Sequence, residues 1–190
     1  MLRALLRAVR LTVAPGKEWP KIRDEGPRVL PIIALFVLPL ALIPAASWSL
    51  DLLLFGNDAG GSHTDLDLIQ IVWRGLITYF GVLLSIGLCA ASITLLAPLF
   101  AGRRNWPRAL QVAAYSAAPV LLSGLVLIVP NLAYVLILPF FHRLYLQYAG
   151  LQHVLGVRER DAAEYVALSS MLLMVFSTAL GAFAGWLEIL

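Results

Sequence analysis

Five apolar stretches, at residues 29–50, 71–100, 109–129, 132–152 and 165–186, constrain this chain more than anything else in it. Each is about as long as the ~20 residues an α-helix needs to cross ~30 Å of hydrocarbon. Inside lipid a backbone must satisfy its own amides and carbonyls, so runs of this length become helices. With 61% apolar and 13% charged residues and a mean hydropathy of +0.86, the 190 residues carry more apolar surface than one small soluble core can hide. The expected fold is all-α, a polytopic membrane protein with five transmembrane helices.

The segments between and before the spans divide the chain into a cytoplasmic region at 1–28 and a membrane domain at 29–190. Leu2, Leu5, Leu6, Val9 and Val13 recur at helical spacing while Arg3, Arg7 and Arg10 take another face, which reads as an amphipathic helix on the membrane. A flexible basic tail is the alternative, since Leu11 interrupts the polar face. Residues 16–27 are charged and turn-rich and read as a linker. Pro31, Pro39 and Pro44 predict a kinked first span, and a polar loop follows at 51–70. The second span outruns a straight crossing and ends near Pro98; the third and fourth form a hairpin at Pro130 and Asn131. Residues 153–164 form a polar stretch before the fifth.

Cations fix the expected orientation, because they resist translocation more than acidic residues do. Arg3, Arg7, Arg10, Lys17, Lys21, Arg23 and Arg28 precede the first span; Arg103, Arg104, Arg108, Arg158 and Arg160 occupy alternate loops of the same side. The expectation is a multi-pass protein of the cytoplasmic (inner) membrane with its N-terminus inside and its C-terminus outside. Trp19 and Trp106 would then mark the inner boundary, and Trp48, Trp73 and Trp186 the outer one. The pI near 9.3 and net charge of +3 point to anionic lipid headgroups at the cytoplasmic face rather than nucleic acid, because no basic stripe marks a soluble module.

Arg143 is the residue most open to a functional reading. It sits about twelve positions into a helix of about 21 residues, and a guanidinium at such depth costs from about 2.5 to over 10 kcal/mol unless it finds a cavity or a partner. His142, Tyr115, Ser116 and Gln147 complete a candidate ligand or ion site, expected to lie between the third and fourth spans. The carbonyl of Val135, freed by Pro139, is a further expected partner. Snorkelling with internal hydrogen bonds is the competing explanation. Ser177, Gly181 and Gly185 recur every four residues and suit close helix packing, either within the chain or in a homo-oligomer. His63, Asp65 and Asp67 are weak ligand candidates without a framework, so no metal site is expected. The single cysteine, Cys89, excludes an intramolecular disulfide. Phosphate loops, zincin histidine pairs and serine elbows are missing, and no cofactor or enzymatic chemistry is expected.

The string AAYSAAPVLL at 113–122 resembles the tyrosine-and-proline segment of the Yip family, the Ypt-interacting integral membrane proteins. Asp24, Glu25, Gly26 and Pro27 echo that family's acidic-then-Gly-Pro motif, though Ala114 replaces the glycine before the tyrosine. The resemblance implies a small, bacterial-type member with five spans and a non-enzymatic, membrane-organising or scaffolding role toward an unidentified protein partner. A small transporter or channel built around Arg143 is the second functional expectation.

Overall fold

A computed structural model describes residues 2–55, 68–100, 102–129 and 132–189, the side chains at 2–4, 55, 133 and 180–189 apart. Among the described residues every regular element is helical. Helices α1 (Leu2–Val13) and α2 (Pro15–Glu25) precede the first span, which consists of α3 (Val29–Ile32), a π-helical turn (Ile33–Val37) and α4 (Leu38–Phe55). The π turn lies just before Pro39, whose ring takes away an amide and crowds the preceding turn, so the backbone widens there.

Helix α5 (Leu68–Leu96) tightens into a 3-10 turn, Ala97–Phe100, at Pro98. The third span is broken. Helix α6 (Trp106–Ser116), α7 (Ala118–Ser123) and a 3-10 stretch, Gly124–Ile128, follow one another, with the break at Ala117 next to Pro119. Asn105 caps α6 by accepting the Arg108 amide at 3.1 Å. A 3-10 turn, Ala133–Leu136, leads into α8 (Ile137–Leu155), and α9 (Glu159–Ile189) completes the described fold.

Four helical stretches among the described residues are long and apolar enough to cross a membrane: Val29–Leu54, Leu68–Phe100, Trp106–Ile128 and Glu159–Ala179. The expected fourth span is a helix, α8, but it is not among them. His142, Arg143, Gln147, Gln152 and His153 dilute its apolar character.

Several boundaries need correction. The expected linker at 16–27 is helical as α2, and Trp19 and Ile22 are fully buried against the bundle. Pro15 sits at the helix start, where it loses no hydrogen bond, and Pro20 is carried inside the helix. Trp19 is therefore core rather than part of a boundary belt, while Trp48, Trp73 and Trp106 are exposed. Helix α4 runs on through Asp51 to Phe55. The stretch expected to be polar at 153–164 is mostly helix, broken only at Gly156–Arg158; Glu159 and Asp161 in the first turn of α9 suit its positive end. His63, Asp65, Asp67, Pro130 and Asn131 lie outside the described residues.

The core forms where α5 and α6 meet, with α4, α8 and α9 around them. Ala109, Val112, Ala113, Ala114 and Ala118 are at most 1% exposed, and these small side chains let the backbones approach closely. Helices α1 and α2 pack onto α7 and α8. A Cβ placed on Gly150 would meet the Trp19 ring at 2.8 Å, so this position of α8 admits α2 only as glycine.

Candidate functional site

The candidate residues separate into two groups. Tyr115, near the end of α6, faces α1: Arg7 donates to its hydroxyl at 3.3 Å and stacks over its ring at 5.4 Å. Phe36 meets the same ring edge-on at 4.6 Å. Arg7 also bonds Glu25 at the end of α2. Burial works against the Arg7 charge, but the Glu25 hydrogen bond and the surrounding negative groups outweigh it and hold the guanidinium pKa above its ordinary value. Gln111, one turn before Tyr115, donates to the carbonyls of Ile22 at 2.9 Å and Gly26 at 3.2 Å. The acidic-Gly-Pro segment and the tyrosine-proline segment, 85 residues or more apart, therefore meet through Arg7 and Gln111.

His142 belongs to the same group. Its Nε2 lies 2.9 Å from the Thr12 carbonyl, a pairing in which the ring nitrogen is the donor. Ser116 donates to the Ala113 carbonyl at 3.1 Å, within its own helix.

Arg143 turns the other way. It is half-buried, its Nε is buried without a hydrogen-bond partner among the described residues, and it borders a cavity of about 120 Å³ between α4, α5, α7 and α8. The expected neighbours Tyr115 and Ser116 do not line this cavity; Ala117, Val120 and Gly124 represent the third span there. Pro139 sits in the first turn of α8, and the Val135 carbonyl, expected to be freed by it, accepts from the Ile137 amide. Arg143 also interacts with the Cys89 sulfur on α5. Cys89 Sγ lies 4.0 Å from Gln147 Oε1, and Gln147 Nε2 donates to Ser169 Oγ on α9 at 2.8 Å. This buried polar chain ties α5, α8 and α9 together.

Sequence reasoning missed Arg7, Gln111, Cys89 and Ser169. Gln111 and Ser169 carried a usable signal, as polar residues in apolar helices; Arg7 looked like one of several surface cations. Ser177 is exposed, and the surroundings of Gly181 and Gly185 lie outside the described side chains.

A family profile described as the Yip1 domain matches residues 9–181. Comparisons with curated proteins and with solved structures returned no match. The matched range takes in both motif segments and the contacts of Arg143.

Proposed function

Because the chain belongs to the Yip1-domain family, we propose that it is a non-enzymatic, multi-pass protein of the cytoplasmic membrane with an organising or scaffolding role. The observation that carries this reading is the way α1 is held. Ala8 and Leu11 are fully buried on the bundle and Arg7 is clamped by Tyr115 and Glu25, yet Leu6, Val9 and Val13 remain 47%, 47% and 78% exposed, with exposed Arg10 beside them. Leu11, which interrupts the polar face, is the residue that docks. An apolar face bordered by arginine on a fixed helix suits the interface of an anionic leaflet. Reconstitution into anionic vesicles tests it: the protein should cluster or reshape them, and Leu6→Asp with Val9→Asp should reduce this at least several-fold. Equal activity in the double variant would remove the reading.

The fivefold crossing is part of the same proposal, with α8 presenting Ile137, Leu138, Phe140 and Phe141 outward and burying its second half against its neighbours. The cation distribution then places the N-terminus inside and the C-terminus outside. Reporter fusions distinguish this from a fourfold crossing: a periplasm-active reporter should be silent after Arg104 and Arg160 and active after Leu190. A small transporter or channel is the second reading, favoured by the cavity at Arg143.

A further inference from the structure

The cavity at Arg143 lies within the membrane-spanning part of the fold and joins a charge to nearly apolar walls. Pro44, Ile86, Val120 and Leu136 line it with Ser85 and Arg143. The Ser85 hydroxyl donates to the Val82 carbonyl at 2.8 Å, so its proton is engaged. The Arg143 Nε is buried without a partner, and the Cys89 sulfur beside the guanidinium is a weak acceptor. A volume of about 120 Å³ is well above the roughly 10–15 Å³ that a single water needs.

A guanidinium at this depth whose Nε lacks a partner among the described residues and whose neighbour is a weakly accepting sulfur is costly, and a counter-anion in low dielectric offsets that cost. One cation balances one negative charge. The apolar walls supply no hydrogen bonds to replace a hydration shell, so an anion that holds its water tightly loses more on entry than one that holds it loosely. We propose that this cavity is a binding site for a small, monovalent, weakly hydrated anion, such as iodide, thiocyanate or nitrate, held by Arg143. Sulfate and phosphate are excluded by charge and by dehydration. The inference goes beyond the scaffolding reading and does not rest on it, since vesicle clustering by α1 and anion binding at Arg143 fail or succeed separately.

The test is equilibrium dialysis of the full chain in phosphatidylcholine nanodiscs against labelled iodide, with ionic strength held constant by sulfate. One saturable equivalent per chain is expected, displaced by thiocyanate and nitrate. Arg143→Gln should weaken binding at least tenfold. Val120→Phe keeps the arginine but fills the cavity, and should abolish binding too, while thermal unfolding midpoints near that of the wild type show that both variants remain folded. Loss of iodide binding in discs containing anionic lipid would overturn the assignment to a weakly hydrated anion and give the site to a headgroup phosphodiester. No saturable uptake by the wild type, or uptake unchanged in either variant, would overturn the proposal and leave a merely hydrated cavity.

Discussion

The third span and the last helix are both apolar, yet 61% of the apolar window of Trp106–Ile128 is buried inside the protein, against 22% of that of Glu159–Ala179. Hydropathy alone does not distinguish a helix that faces neighbours from one that faces lipid, because leucine suits both surroundings. Side-chain size does. The third span is rich in alanine where α4, α5 and the docked α1 and α2 converge, whereas α9 presents Met171, Met174 and Val175 outward at 65%, 72% and 61% exposure. The central helix also carries the family segment at 113–122, and the burial of Ala113, Ala114, Tyr115 and Ser116 gives that segment a packing reason.

Substitutions sharpen the contrast. Ala114→Leu forces three methylene-sized groups into a position with no exposure, and should cost about 1–3 kcal/mol or prevent folding. Thermal unfolding in detergent measures it, and an unchanged midpoint would mean that the third span is not the tightly packed one. Gln147→Leu breaks the bond to Ser169 that joins α8 to the start of α9; it should cost about 0.6 kcal/mol and no more than about 1.7, as for other interhelical hydrogen bonds in membranes. A larger loss would show the buried polar chain to be cooperative. Met174→Ala, on the exposed side of α9, should change stability by less than about 0.5 kcal/mol. A clear destabilisation there would show that this face is covered in the membrane, by a second copy or by another protein.

Arg143 shows how much of the site was legible. Its depth among apolar residues flagged it, and it does border a cavity between helices. Its partners were not legible, since Tyr115 and His142 have the same kind of polar side chain but turn to Arg7 and Thr12 on α1. Residues 142 and 143 are adjacent, and consecutive positions on a helix point about 100° apart, so they cannot share one face. What the helix covers at each angle depends on neighbours distant in the chain.

The all-helical, membrane-embedded character of this chain and its family membership were readable from one dimension, because apolar length and a short motif are properties of contiguous residues. Pro98 as a helix end was readable for the same reason, and so was an irregular first span, which takes the form of the π-helical turn before Pro39. The docking of α1 and α2 was decided only by the tertiary structure. The segment at 16–27 is too polar to be apolar core by composition, and it becomes structure because Gly150 makes room for Trp19, Gln111 donates to the carbonyls at the end of α2, and Arg7 finds both Glu25 and Tyr115. The contacts made to Tyr115, Gln111 and Gly150 join residues 85 to 131 positions apart, and no local pattern encodes a pairing whose stabilisation exists only once both surfaces are assembled.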